Sequence, residues 1–420
     1  MSSFAGLYFD NVQVDWGEEE EYNAPSVCRV LFRPSDFLQV PFRKLPAHLR
    51  AFEKEARQYY DVIPESYSIL CCSASAAERR LSILGYSRPR AEEAWNSAKT
   101  AVLLKAEQDE NRSETLRRMY RETADLFDTL SYGEWREKYT EILTAKASGT
   151  NDNSHGTFIF LRGLDSTEVR DPLMWVAIQL YALEPTKLWV DLTEVIEREE
   201  ETKKSIFGED EIPDRFSYAF GKITLLTEGV TDSRILSVSL NEFYPEARDL
   251  YSFVDFEDFK VEGGASPLAK LLRGFAGAGL TDRYIAIFDN DAAGHEAFAL
   301  VKSVALPPNI RAITLADLEF ARNYPTIGPT GKVNADINGS AVSIEMFLGR
   351  DALNRDGKLR PVRWSQWNNG AKRYQGEIEG KPEVCERYLA AIKEIKNPKV
   401  LRRKFADIDA LLCTIFGIFA

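Results

Sequence analysis

Soft metal ligands are scarce in this chain: five cysteines and three histidines in 420 residues. The cysteines (Cys28, Cys71, Cys72, Cys385 and Cys413) are odd in number and never spaced as zinc knuckles or ribbons. That pattern excludes a structural zinc module and fits reduced thiols, so a cytoplasmic setting is expected. Long apolar runs are also missing. The most apolar stretch, "LLCTIFGIFA" from Leu411 to Ala420, falls short of the roughly 20 residues that cross a bilayer. The first residues lack a charged start followed by an apolar signal core, so a soluble, non-secreted protein with no membrane partner is expected. A nucleotide-hydrolysing loop is absent too. "PTGKV" has Thr326 where the first glycine of such a loop belongs and Val333 where Ser or Thr belongs.

Excess positive charge is confined to one end. The net charge is −12. Residues 1–217 carry 27 basic and 39 acidic side chains, 218–350 carry 12 and 17, and 351–420 carry 14 and 9, giving −12, −5 and +5. An acidic chain repels nucleic acid, so any such contact needs a local basic surface or a bound cation.

What is present begins with length and periodicity. At 420 residues the chain exceeds what one core usually supports, so two or three domains are expected. The first part opens with short strand-like pieces, "GLYFDNVQVDW" and "SVCRVLF". Helical patterns follow at Pro46–Tyr60, Ala74–Leu84, Arg88–Asp109, Ser113–Leu130 and Tyr132–Ala147. A polar loop, "ASGTNDNSHG", precedes the helix "PLMWVAIQLYAL", the strand-like "LWVDLTEVI" and a charged run from Glu197 to Ser205. From about Phe216 short apolar strands alternate with amphipathic helices: "ITLLT", "LYSFVDF", "YIAIF" and "IRAITL" with helices between them. This is the pattern of βαβ units, predicting an α/β fold with a largely parallel sheet.

Two of these strands stop on carboxylates. "LLTEGVTD" places Glu228 after one strand, and "IFDNDAAGH" places Asp289 and Asp291 after another. Ligands of open parallel sheets bind beyond the carboxyl ends of the strands. Three carboxylates there would repel one another and raise at least one pKa unless a cation neutralised them. With only oxygen donors, that cation would be Mg²⁺ or Mn²⁺. Taken singly, each motif is an ordinary turn. A calcium loop is excluded, because Ala293 and Leu300 stand where such a loop needs an oxygen ligand and its closing Glu.

Together "LLTEGVTD" and "FDNDAAG" resemble the Toprim domain, with Glu-Gly at one strand end and Asp-x-Asp at a later one. The resemblance covers roughly 218–350. It implies acid/base or metal chemistry at Glu228 and Mg²⁺ or Mn²⁺ at Asp289 and Asp291, with Asp232 continuing the first motif. "VNADINGSAVSIEMFLG" is similar to the later acidic element of OLD-family Toprim nucleases, which adds Glu345 and Asp336 as ligands of a second ion. "GLYFDNVQV", "VLFRPSDF" and "AAERRLSILGYS" resemble the HEPN/Toprim-associated N-terminal domain. The implied organisation is a mainly helical domain at 1–215, a Toprim catalytic domain at 216–350 and a basic extension at 351–420 packed on it. A topoisomerase would need a tyrosine-bearing cleavage domain, and a bacterial primase a zinc domain. The expectation is therefore a metal-dependent nuclease acting on DNA or RNA, an effector in anti-phage defence restrained until infection, triggered by an ATPase or regulatory partner and open to homo-oligomerisation.

Further residues enter this reading. Arg360, Arg363, Lys372 and Arg373 are interleaved with Trp364, Trp367 and Tyr374, which suits phosphate neutralisation with base stacking and equally suits aromatics in a core. Arg43 and His48 fit the loose Arg/His spacing of HEPN ribonucleases, but Pro46 interrupts any helix between them. A solvated loop is the preferred reading there, and a metal-independent ribonuclease the alternative. His155 lies in the polar loop and His295 opens a helix beside Asp291, neither as an expected ligand. A non-cutting module that binds metal or nucleic acid is the other alternative.

Overall fold

The computed structural model describes residues 6–16, 27–50, 66–107, 114–148, 164, 170–193, 196, 222–254, 262–329 and 331–420. His155, the charged run from Glu197 to Ser205 and the expected helix beyond Arg50 lie outside the described residues. The chain divides into two compact units, residues 1–216 with 419–420, and residues 217–418. Among the described residues no helix is long and apolar enough to cross a membrane.

In the first unit, β1 (Gly6–Phe9), β2 (Val12–Val14), β3 (Phe37–Val40), β4 (Tyr67–Ser73) and β5 (Lys187–Asp191) form one antiparallel sheet in the order β2-β1-β5-β4-β3. Its helices are α1 (Ala74–Leu84), α2 (Arg88–Glu107), α3 (Glu114–Phe127), α4 (Tyr132–Ala147) and α5 (Pro172–Leu183). Local chemistry sets their ends. Ser73 caps α1 by accepting from the Ala76 amide, and Gly85 ends it at φ 98, a left-handed conformation that suits glycine. Ser131 and Glu134 form a reciprocal capping box on α4. Every residue of α5 from Leu173 to Ala182 is buried, as expected of a helix that is apolar on all sides.

Here the sequence reading needs correction. Helices dominate the described residues of this unit, and β3 and β4, which the sequence reading did not include, complete a five-stranded sheet beside them. β4 is buried on both faces over most of its length, so it lacks the alternation that marks a half-exposed strand. "SVCRVLF" is helical over residues 27–31 rather than extended. Val27, Val30 and Leu31 are all buried there, the i, i+3, i+4 spacing of a helix, which overrides the β-branched composition.

The second unit is mixed α/β with a parallel sheet. β6 (Ile223–Leu226), α6 (Val230–Phe243), β7 (Tyr251–Phe253), α7 (Ala265–Ala278), β8 (Tyr284–Phe288), β9 (Asn290–Asp291), α8 (Ala292–Lys302) and β10 (Ile310–Thr314) follow in sequence. The strand order is β10-β8-β6-β7, every pairing parallel, with Leu225 opposite Ile285 and Ile287 opposite Ile313. All five residues of β8 are buried. Leu268, Leu272, Ala297 and Val301 from α7 and α8 share one core with Leu226, Ala286 and Phe288.

A second sheet, β12-β11-β16-β17, joins β11 (Tyr324–Gly328), β12 (Gly331–Ala335), β16 (Val362–Asn368) and β17 (Arg373–Ile378). Between them β13 (Ala341–Val342) pairs with β9, and β14 (Asn354–Arg355) pairs with β15 (Lys358–Leu359). The chain then runs through α9 (Lys381–Glu394), α10 (Pro398–Lys404) and α11 (Ala406–Phe416). These helices pack on α6. Tyr388 and Ser239 share a buried hydroxyl contact of 2.7 Å, Tyr244 donates to Asp409 at 2.6 Å, and Arg402 donates to the Phe243 carbonyl at 2.8 Å.

A buried amide ties the first unit together. Gln179, fully buried in α5, accepts from the Asp15 amide at 3.1 Å and from the Tyr139 hydroxyl at 2.8 Å. It also donates to the Asp15 carbonyl at 2.7 Å. Gln179→Leu keeps the bulk and strands those groups, so unfolding should be easier by about 2–4 kcal/mol, read as a lower denaturant midpoint for this unit. An unchanged midpoint would remove the amide from the supports of this fold.

Candidate active site

Glu228 leaves the end of β6 in a turn pinned from both sides. The buried Thr227 hydroxyl contacts the Ser233 hydroxyl at 2.8 Å and donates to the Gly229 carbonyl at 3.0 Å. The Glu228 carbonyl accepts from the Gly264 amide at 2.6 Å. A Cβ on Gly263 would stand 3.0 Å from that carbonyl, and Gly264 itself has φ +111, so two glycines let the chain pass this close. The Glu228 carboxylate then turns to the neighbouring strand end, where Oε1 accepts from the Asp289 amide at 2.8 Å. That single bond joins the two motifs that the sequence separates by about sixty residues.

Asp289 and Asp291 part company in the structure. Asp291 caps α8, its Oδ1 accepting from the Gly294 amide at 2.7 Å, while Oδ2 accepts from the Gln375 amide group of β17 at 2.5 Å. Gln375 also accepts from the Ala293 amide at 2.9 Å, clamping the same helix start. At Asp289, burial together with the charges of Glu228, Asp232, Asp291 and Glu345 holds the carboxyl well above the ordinary range. Gly294 makes the turn between the two possible: a Cβ there would meet the Asp289 carbonyl oxygen at 2.2 Å.

Glu345 completes the group from a short 3-10 turn, Ile344–Phe347. It is 3 % exposed, accepts from the Ser343 hydroxyl at 2.5 Å, and faces Lys381 Nζ at 3.9 Å. Burial lifts Glu228 to about 7, with Asp291 and Asp232 adding to the shift. Burial and the Glu345 charge lift Asp232, in the first turn of α6, to about 7. Lys381 answers this negative field. Burial disfavours its charge, but Glu345, Asp289, Glu377 and Asp232 outweigh that and hold its ammonium above the ordinary lysine range. The site is therefore a group of carboxylates coupled through burial and charge, with Lys381 reaching Glu345 at 3.9 Å and Glu377 at 3.4 Å.

The donor set suits a hard divalent cation: every donor is a carboxylate oxygen, and mutual repulsion is what a cation would relieve. Among the described residues no three His, Cys, Asp or Glu side chains stand close enough to hold an ion as they are. Several of the oxygens are instead held by amide, hydroxyl and ammonium groups. Glu228, Asp232, Asp289 and Glu345 are the residues that would hold the metal, with Asp291 fixing the helix beside them.

Other expected residues fall outside this group. Asp336 is exposed, and its Oδ1 accepts from the Asn338 amide at 2.9 Å. Arg360 is 7 % exposed and paired with Glu383 at 3.3 Å, which places it in the interior and corrects its reading as a substrate contact. Arg363, Trp367, Lys372 and Arg373 are exposed. Arg363 pairs with Glu379, and Arg373 donates to the Gly339 carbonyl at 2.9 Å. His295 meets the Asn290 side-chain oxygen at 2.7 Å. Arg43 is exposed, whereas the His48 ring packs against Tyr8 and Trp189 at 5.1 and 6.3 Å. The structure shows no contact between Arg43 and His48.

Sequence reasoning missed Lys381 and Gln375. A signal for Lys381 existed: it is the first residue of α9, where a helix dipole disfavours a cation. Gln375 carried none, since its role depends on β17 arriving beside β9.

The raised carboxyls predict how stability varies with pH. Glu228 and Asp232 titrate near 7 in the fold against about 4 when unfolded, so the folded chain holds extra protons between those values. Their stabilising contribution is complete below about pH 4 and is lost as pH rises through about 7. In chelator-containing buffer the melting temperature should fall from pH 5 to pH 8. Asp289→Asn should flatten that fall and raise the melting temperature at pH 8. A rise with pH in the parent chain would contradict the assignment.

Comparison with known proteins returns no match, whether to a family model, a curated protein or a solved structure.

Proposed function

We propose that this protein is a metal-dependent nuclease of Toprim type, hydrolysing phosphodiester bonds of DNA or RNA at the acidic cluster. The observation that carries the reading is the joining of Glu228 to Asp289 across adjacent parallel strand ends, with Asp232, Glu345 and Lys381 in the same electrostatic group. Burying several carboxylates together costs stability. A scaffold gains nothing from that arrangement, whereas phosphoryl chemistry uses it.

When bound, Mg²⁺ or Mn²⁺, as one or two ions, polarises a phosphoryl oxygen and makes water more acidic. The chain supplies the rest. Glu228, whose carboxylate is oriented by the Asp289 amide, would take the proton from attacking water. Asp289 and Asp232 would hold the ion. Lys381 stays charged beside them and offsets negative charge that develops on the phosphate. Asp291 and Gln375 keep the start of α8 in place. The role as an effector in anti-phage defence, acting with an ATPase or regulatory partner, rests on the resemblance in "LLTEGVTD", "FDNDAAG" and the N-terminal segment.

Purified protein incubated with plasmid, single-stranded DNA and total RNA tests the reading. Cleavage should appear with Mg²⁺ or Mn²⁺ and vanish in EDTA. Glu228→Gln should bind nucleic acid as well as the parent and cut at least ~100-fold more slowly. Near-parental cutting by that variant would sink the mechanism. Cleavage that survives EDTA and depends on His48 would point to the first unit instead.

A further inference from the structure

The strand that clamps Asp291 also carries an aromatic surface. On β16 the residues Trp364 and Trp367 are three apart, so on a regular strand they would face opposite sides. The structure prevents this. Trp364 stands opposite Gly376 and Trp367 opposite Tyr374, with the register shifting between the two pairs. Because 374 and 376 share a face of β17, the irregularity brings both tryptophans to that face, which is how a bulge re-aims a side chain. Gly376 leaves room for the indole: a Cβ there would lie 2.9 Å from Trp364 Cε3.

At the outer end this surface is open. Trp367 is 49 % exposed and Tyr374 54 %, and their rings meet edge to face at 5.1 Å. Exposed large aromatics in contact are unusual on a surface without a ligand. At the inner end a cavity of about 380 Å³ is lined by Arg363, Trp364, Glu377, Glu379, Gly380 and Lys381, and Lys381 reaches Glu345 of the acidic cluster at 3.9 Å. Cations flank the aromatics, Arg363 in an ion pair with Glu379. Arg363 and Lys372 are exposed, and Lys372 is held at φ 53 in the hairpin turn, a conformation unfavourable for a side chain with a Cβ. Gln375, on the opposite face of β17 from Tyr374, bonds Asp291 and so fixes the position of this strand beside the cluster.

We propose that Trp364, Trp367 and Tyr374 form a stacking track for the unpaired bases of a single nucleic-acid strand entering the acidic cluster. The inference rests on the nucleic-acid reading of that cluster and names its substrate class. Aromatic faces accept any base once it is unstacked, and flanking cations neutralise the backbone. A duplex keeps its bases inside and offers such a track nothing but phosphate. The surrounding charge agrees, since residues 351–420 carry 14 basic and 9 acidic side chains in an otherwise acidic chain.

Binding in EDTA separates this inference from the cutting reaction. Fluorescein-labelled oligothymidylate and a blunt duplex of equal length are titrated with the full chain, read by anisotropy. The single strand should bind ~10-fold or more tightly than the duplex, and Trp367→Ala and Tyr374→Ala should each weaken it ~10-fold without changing duplex affinity. Trp367→Phe should keep most of the binding, and circular dichroism should match the parent for all three. Unlabelled oligothymidylate should quench the emission difference between the parent and Trp367→Phe. Equal affinity for strand and duplex overturns the proposal, and so does unchanged affinity in folded alanine variants. A patch that alters sedimentation but not oligonucleotide binding also overturns it and marks a protein contact. Aromatic-dependent binding without cleavage of any substrate leaves this inference standing and removes the nuclease. Cleavage indifferent to strandedness and to both alanine variants does the reverse.

Discussion

Like charges forced into one small volume set the terms for the second unit. Burial and the charges of neighbouring carboxylates raise the proton affinity of Glu228, Asp232 and Asp289, and nothing in chain folding rewards that by itself. The surrounding structure is arranged to bear it. Gly294 brings the Asp289 carbonyl to a distance that any side chain would forbid, and Gly263 and the left-handed Gly264 ease the close pass beside the Glu228 carbonyl. The Asp289 amide and the Ser343 hydroxyl feed hydrogen bonds to the acids. A parallel sheet buried on both faces at β8 supplies the apolar packing against which the repulsion is held.

The C-terminal segment belongs to this arrangement although its composition suggests a separate basic tail. Its cations divide by environment. Arg360 turns inward to Glu383, Lys381 turns to the acids, and Arg363 and Lys372 stay at the surface. Gln375 reaches Asp291 from the same hairpin. The segment thus brings Gln375 and Lys381 to the acids of the middle of the chain.

How much of this could be read beforehand followed from distance along the chain. The strand ends at Glu228 and Asp289 were legible because each motif is local: an apolar run, then carboxylate, then glycine or helix. Helices Ala74–Leu84, Tyr132–Ala147 and Pro172–Leu183 were legible for the same reason, their caps and periodicity lying within a few residues. β4 was not, because a strand buried on both faces loses its alternation. Lys381, Gln375 and the inward turn of Arg360 depend on pairings of β16 and β17 with elements far away in sequence. Spacing cannot report such contacts, and Arg360 looked like its exposed neighbours for that reason.

The cap formed by Asp291 has a consequence for how this site would age. Its carboxylate starts α8 and so supports folding as well as chemistry, whereas Asp289 and Glu228 are costs that folding alone would shed. In lineages released from the activity, drift would favour neutral residues at 228 and 289 while folding still guarded the aspartate at 291. The two acids that weaken the molecule are therefore the ones whose persistence would record selection for what it does.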